Sequence, residues 1–363
     1  MKTINWQIGL MAFVAASITS CTHQKAGASG ISKGPYLQNP TQTEITVCWV
    51  SDIDSIGSIG YSVKSGGDIK KVQESVPTSY HKVHLTGLSA YTRYIYTVTC
   101  EGRIGKGEFI TAAKPNQPFK FIAYGDTRTQ PKVHESVLKS MAQFQPDFVI
   151  QSGDLVANGE EESQWKVFWE TASSFMSNVP YFPALGNHER NASPYFKYFD
   201  VKNEYSFDYG NTHFVALDTN RDSSEYPAQN EWLKKDLAAH QSATWRVVFF
   251  HHTVHTCVDK PDRRAQSKLL AARLEPIFKA GHVQLVVNGH DHDYQHHFND
   301  GIHYVVSGGG GAPLYSVTPD TEHVVKAKSV HNHVRIEVNG GTMKITAIEP
   351  NGDVIESFEV KSK

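Results

Sequence analysis

Five short apolar runs beyond residue 118 each end in side chains that can bind metal ions. Phe119 to Tyr124 leads into Gly125-Asp126, Phe148 to Ser152 into Gly153-Asp154, and Tyr181 to Leu185 into Gly186-Asn187-His188-Glu189. Trp245 to Phe250 leads into His251-His252, and Val283 to Asn288 into Gly289-His290-Asp291-His292. Taken singly, most of these read as well as turns; in this order, all at the ends of β-like runs, they point to one shared cluster. Carboxylate oxygens, one amide oxygen and several imidazoles, with no cysteine among them, suit divalent ions of intermediate softness such as zinc, iron or manganese. Glycine ahead of Asp126, Asp154, Asn187 and His290 lets the backbone turn sharply off its strand.

Such a cluster needs a scaffold that brings strand ends together. In an open α/β sheet the C-terminal ends of the strands lie along one edge, where loops form a crevice. The apolar runs alternate with longer amphipathic stretches, including expected helices over Pro131 to Phe144 and Glu160 to Met176, so residues 118–363 read as an α/β domain. The stripe Trp165, Phe168, Trp169, Ala172, Phe175 and Met176 is what a helix laid on a sheet needs for its core. Ser307 to Ala312 is glycine-rich but lacks a phosphate-loop lysine, and reads as a tight loop beside the pocket. His333 to Val338, Thr342 to Ala347 and Glu356 to Val360, parted by Asn339-Gly340-Gly341 and Asn351-Gly352, predict strands that complete the second sheet.

Residues 34–113 carry a different pattern. Glu44 to Val50, Ile59 to Val63, Tyr80 to Leu85 and Tyr94 to Cys100 alternate in period two, which predicts an all-β sandwich with Ile45, Val47 and Trp49 on one strand face. By parity Cys48 points away from that core while Cys100 shares the face of Tyr94, so no disulfide joins them. With Cys21 and Cys257, four cysteines in 363 residues make no disulfide framework. Residues 21–33 read as a flexible tether. Ahead of them, residues 1–20 hold Lys2, an apolar run from Ile8 to Ile18 and then Thr19-Ser20-Cys21, the pattern of a signal peptide. The run is about eleven residues, too short for a spanning helix of roughly 20. The balance of 35 Lys and Arg against 37 Asp and Glu gives no strong field, which argues against nucleic acid or an anionic membrane surface as a partner.

Small residues before Cys21 resemble the lipobox of bacterial lipoproteins, which implies an exported, periplasmic or outer-membrane or cell-surface protein held to the membrane by lipid on Cys21. In its larger organisation the sequence resembles the calcineurin-like metallophosphoesterase superfamily. Within it, the sequence resembles the purple acid phosphatase branch, where a fibronectin type III-like sandwich precedes the catalytic domain. Leu88 and Tyr91 to Tyr96 look like the tyrosine-corner end of such a sandwich. The resemblance covers nearly all of the chain after the expected signal peptide, and it implies a four-layer αββα catalytic fold.

By that similarity Asp154 bridges two metal ions, divalent or mixed-valence Fe, Zn or Mn. Asp126 and His292 bind one of them, and Asn187, His251 and His290 the other. The implied chemistry is attack on a phosphate ester by a hydroxide bridging two cations roughly 3.5 to 4 Å apart, with His188 relieving charge on the leaving oxygen. Two positions depart from the pattern. Arg128 stands where many relatives have a histidine ligand, and Ala157 where the purple enzymes have their iron-binding tyrosine, so no purple charge-transfer site is expected. Arg128 is either a bidentate contact to substrate phosphate or an ordinary surface arginine. His134 is a candidate for the missing ligand or a phosphate contact, and His252 for a substrate contact. Asp291 and Asp293 are candidates for orienting imidazoles.

The expected activity is hydrolysis of a small phosphate ester, of acid-phosphatase type. A phosphodiesterase using the same metals is the first alternative. The second is a noncatalytic binding lipoprotein with a degenerate site, against which stand the intact Asp154, Asn187 and His188.

Overall fold

Period-two alternation in the first third of the chain folds into two antiparallel sheets packed face to face in the computed structural model, which describes residues 30–318 and 323–362. The expected signal peptide and Cys21 lie outside the described residues. The strands are β1 (Ile31–Gln38), β2 (Ile45–Ser55), β3 (Ser58–Val63), β4 (Lys70–Gln73), β5 (Thr78–Leu85), β6 (Arg93–Cys100) and β7 (Arg103–Ile110). One sheet has the order β1-β2-β5 and the other β4-β3-β6-β7. Leu37, Ile45, Val47, Trp49, Ile59, Val98 and Phe109 fill the space between them, and Tyr94 Oη accepts the Ser89 N–H at 2.9 Å.

Two expectations change here. β1 starts inside the segment read as a tether, with Ile31 and Lys33 in register with Ser51 and Val50. Gly34-Pro35 hides the strand from a pattern reading, because proline removes a ladder donor. Cys48 does turn away from Trp49, yet it meets no solvent: it is packed with Tyr36 and Val50 against Trp169 of the next domain. Burial pushes its thiol up to about 12; Cys48 and Cys100 form no disulfide, and Cys257 is buried as they are.

The second domain runs β8 (Phe119–Tyr124), α1 (Pro131–Phe144), β9 (Phe148–Gln151), α2 (Glu162–Met176), β10 (Tyr181–Pro183), α3 (Ser193–Phe199), β11 (Tyr205–Tyr209), β12 (Thr212–Ala216) and α4 (Tyr226–Ala239). It continues with β13 (Trp245–Phe249), α5 (Pro261–Ala280), β14 (Leu285–Asn288), β15 (Tyr294–Asn299), β16 (Ile302–Ser307) and β17 (Val324–Lys328). The last strands are β18 (His333–Asn339), β19 (Thr342–Ile348) and β20 (Val354–Lys361). They form a six-stranded sheet, β10-β9-β8-β18-β19-β20, and a seven-stranded one, β11-β12-β13-β14-β16-β15-β17. Phe121, Phe148, Phe214, Trp245, Val287 and Ile336 pack between the sheets. The aromatic stripe of α2 closes the outer face of the first sheet with α1 and α3, while Leu233 of α4 and Leu274 of α5 cover the second. The result is four layers, αββα.

The C-terminal strands join the sheet of β8 to β10, not the other one: β18 pairs antiparallel with β8, Val334 opposite Ala123. β8 has β9 on one side only, and the inward Val334, Ile336 and Val338 supply its second neighbour. The sandwich is pinned to the helical layer beneath it. Tyr36 Oη donates to the Tyr198 carbonyl at 2.8 Å and Tyr96 Oη to that of Ser177 at 2.8 Å, and the Gln38 amide donates to the Phe199 carbonyl.

Candidate metal centre

β8 and β9 run parallel in one sheet and β13 and β14 in the other, so the loops after each pair open on a common edge. The sharp turn off the strand is made by the ligand residue itself. Asp126, Asp154 and His290 have φ of 57°, 58° and 70°, a left-handed region in which Asp, Asn and His are the enriched non-glycine residues. Of the preceding glycines only Gly153 is left-handed, at 95°. Gly125, Gly186 and Gly289 serve close approach instead: a Cβ there would overlap Ser152 Oγ, the Asp154 nitrogen and Asp126 Oδ2.

On one side of the Asp154 carboxylate four donor atoms converge. His251 Nδ1 donates to the Ser152 carbonyl at 2.9 Å, which leaves the Nε2 lone pair bare. That Nε2 lies 3.0 Å from Asn187 Oδ1, 3.1 Å from His290 Nδ1 and 3.3 Å from Asp154 Oδ1. Ligands about 2.0–2.2 Å from a cation stand roughly 2.8–3.6 Å apart, from right-angled to tetrahedral geometry, and these separations fall in that range, so the set is spaced for one cation. On the other side are Asp154 Oδ2, Asp126 Oδ1 and His292 Nε2, the last two 3.4 Å apart. His292 Nδ1 donates to the Pro313 carbonyl at 2.7 Å, and Asp126 Oδ2 accepts the His290 N–H at 2.8 Å. Asp126 Oδ1 is buried with no hydrogen-bond partner. An unpartnered carboxylate oxygen facing a proton-free imidazole nitrogen is a donor set that fits a divalent ion. Burial alone would raise the Asp154 carboxyl, but the His251 and His188 imidazoles outweigh it and hold it below the ordinary range. Burial and the neighbouring imidazoles keep His290 neutral, as a ligand must be.

The remaining candidates divide by where they point. His188 is part-exposed, with Nδ1 on the Ala157 carbonyl at 2.7 Å and Nε2 3.8 Å from Asp154 Oδ2, so its free nitrogen looks into the site. Arg128 also folds inward, with Nε 3.2 Å from Asp154 Oδ2. His134 instead lies on the buried face of α1, its Nε2 3.2 Å from Tyr124 Oη and its ring stacked on Phe168; burial drops it to about 3. His252 is 5% exposed, holds Thr219 Oγ1 at 2.8 Å and packs edge-on against the His290 ring, which makes it a wall behind a ligand. Asp291 pairs with Arg263 at 3.1 Å and Asp293 with Gln295 at 2.9 Å; neither carboxylate holds an imidazole.

The residue that sequence reasoning left without a role is Glu189. It is fully buried, and its two oxygens accept four backbone N–H groups, those of Asp154, Leu155, Val156 and Gly186. The carboxylate closing Gly-Asn-His-Glu was the available signal. A second carboxylate–imidazole group also escaped notice: His213 lies between Asp208 at 2.7 Å and Asp236 at 2.8 Å, with His240 stacked on its ring. It sits on β12 next to the β11 turn, at the end of the sheet opposite the metal ligands.

Residues 119–294 match the family described as calcineurin-like phosphoesterase. The chain is 24% identical over 371 aligned positions to Purple acid phosphatase 18 of Arabidopsis thaliana, covering 91% of this chain and 83% of that protein. Among solved structures, purple acid phosphatase PPD1 from yellow lupin (Lupinus luteus) seeds superposes with a TM-score of 0.77 at 20% identity, over 91% of this chain and 74% of that one. A PhoD structure superposes at 0.71 and 14% identity, over 92% and 90%. At these identities the superpositions speak for the fold, while the family match falls on the segment that holds all six ligand candidates. Residues 119–294 are a calcineurin-like metallophosphoesterase domain, which marks the chain as a phosphoric ester hydrolase with purple acid phosphatases among its relatives.

Proposed function

We propose that this protein hydrolyses phosphate monoesters at two cations, one held by Asp126, Asp154 and His292 and the other by Asp154, Asn187, His251 and His290. The observation that carries the reading is the convergence of proton-free donors on both sides of one buried carboxylate, Asp154. When bound, such a pair neutralises phosphate charge and acidifies water. The chain's own part is to fix the ligands and manage protons. Asp154 is clamped through its backbone by Glu189, and the His188 N–H reaches its Oδ1 at 3.0 Å. With Nδ1 tied to the Ala157 carbonyl, the imidazolium form of His188 presents Nε2–H to the site and gives that proton to the departing alkoxide oxygen. The name of the Arabidopsis relative, an acid phosphatase, supports a monoester.

The test is hydrolysis of nitrophenyl phosphate and of its bis-ester after chelation and reloading with zinc, manganese or iron, beside an Asp154→Asn control. Metal-dependent monoester turnover that vanishes in the control is expected; turnover of the diester alone overturns the monoester reading. We also propose export with lipid on Cys21, on the strength of the Ile8 to Ile18 run and the residues before the cysteine. Labelling with an alkyne fatty acid should mark the wild type and not Cys21→Ser.

A further inference from the structure

Arg128 is turned into the metal centre. Besides Nε on Asp154 Oδ2 at 3.2 Å, its Nη2 lies 3.4 Å from His292 Nε2, and its side chain is 15% exposed. Those acceptors, with the bare Asp126 Oδ1, are the three protein donors of one cation position. The guanidinium, always charged and shaped as a fork, answers the charge of Asp154 Oδ2 before any ion arrives. A divalent ion entering there must displace both contacts and settle beside a like charge. Nor does a fourth protein donor compensate, since position 157, close by, is alanine. The opposite position has four donors, Asn187, His251, His290 and Asp154 Oδ1, and no cationic side chain among them.

We propose that the two cation positions are unequal by construction. The His251/His290 position holds its ion tightly. At the Asp126/His292 position Arg128 competes for the ligands, and it leaves them, for the phosphate oxygens of the substrate, when the second ion enters. A cavity of about 260 Å³ bordered by Thr127, Arg128, Thr129, Leu155 and Ala157 gives the side chain room to rotate. The inference rests on the metal-dependent phosphoesterase reading, but its test does not use turnover.

Metal-free protein is titrated with Mn²⁺ and followed by electron paramagnetic resonance, and retained metal is counted after gel filtration. The wild type should keep one equivalent, give an isolated-ion signal first, and show the exchange-coupled signal of a pair only in excess Mn²⁺. In Arg128→Met the second equivalent should tighten by about 10–100-fold, the range by which partners around a metal's ligands tune its affinity, while the first stays as it was, which also reports that the variant is folded. Arg128→Lys keeps the charge and should keep a weak second site. Two equivalents of equal affinity in the wild type, or an unchanged second affinity in Arg128→Met, overturn the proposal. Unequal binding by a protein that hydrolyses no phosphate ester would leave this proposal standing and remove the catalytic one. No Mn²⁺ binding would remove both.

Discussion

Replacing Glu189 by glutamine exchanges one oxygen for an NH₂ and should dismantle the turn that carries Asp154. One carboxylate oxygen accepts the N–H groups of Leu155 and Val156 at 2.8 and 3.3 Å, and the other those of Asp154 and Gly186 at 2.9 and 2.7 Å. Glutamine keeps one acceptor oxygen and must aim its amide nitrogen at one of these pairs. Whichever way it turns, two buried N–H groups lose their acceptor and face a third donor. At about 1–3 kcal/mol for each unsatisfied buried group, the loss is about 2–6 kcal/mol, a large part of the ~5–15 kcal/mol that holds a typical domain together. Because the freed groups flank Asp154 and Asn187, metal affinity should fall with stability, on the order of 10–100-fold. Urea unfolding followed by tryptophan fluorescence reads the first effect, and calorimetric titration of chelated protein with Zn²⁺ the second. A Glu189→Gln protein whose unfolding midpoint and Zn²⁺ affinity match the wild type would refute the reasoning.

His188→Asn should lower kcat for a nitrophenyl monoester by about 10²–10⁴-fold with bound metal unchanged; a parallel loss of metal would make His188 a structural residue. Gly153→Ala should lower both thermal midpoint and retained metal, since a side chain at φ 95° is strained and its Cβ would come 2.7 Å from His251 Nδ1; an unchanged melt would show that the turn relaxes freely. His213 gives a pH test. Burial lowers its pKa, but Asp208 and Asp236 outweigh that and raise it above the ordinary value. Its contribution is therefore complete below about pH 6.5 and is lost as pH rises through the higher folded value. The two aspartates are held low by His213, so their share is lost only at acid pH. The stability gap between wild type and His213→Phe should be widest near pH 5–6 and close toward pH 9; a gap that stays constant contradicts the ion-pair account.

What could be read in the sequence was local. The bounds of α1 follow from Pro131 and the apolar spacing, and the stripe of α2 marks its buried face unaided. The six ligand candidates announce themselves because residue type and strand-end position sit side by side in the chain. Pairing between distant strands does not: nothing within His333 to Val360 says that β18 lies on β8. α4 and α5 are faint for another reason, since α4 buries only Gln229, Leu233 and Leu237 and α5 carries an internal Pro276. Direction is also invisible in a sequence. Arg128 and His134 were both candidates for a phosphate contact, and only the fold turns the first inward and lays the second under Tyr124.

The left-handed backbone at Asp126, Asp154 and His290 ties ancestry to chemistry in an unequal way. Asp, Asn, His and glycine are the residues that sit most cheaply in that conformation, so folding itself selects them whether or not an ion is bound. A descendant that had gone silent would keep much of the Gly-Asp fingerprint, and its motif would fade more slowly than its activity. His251, Asn187 and His292 have no such backbone reason to persist. In this lineage those three positions, more than the aspartates, distinguish a working centre from a fossil one.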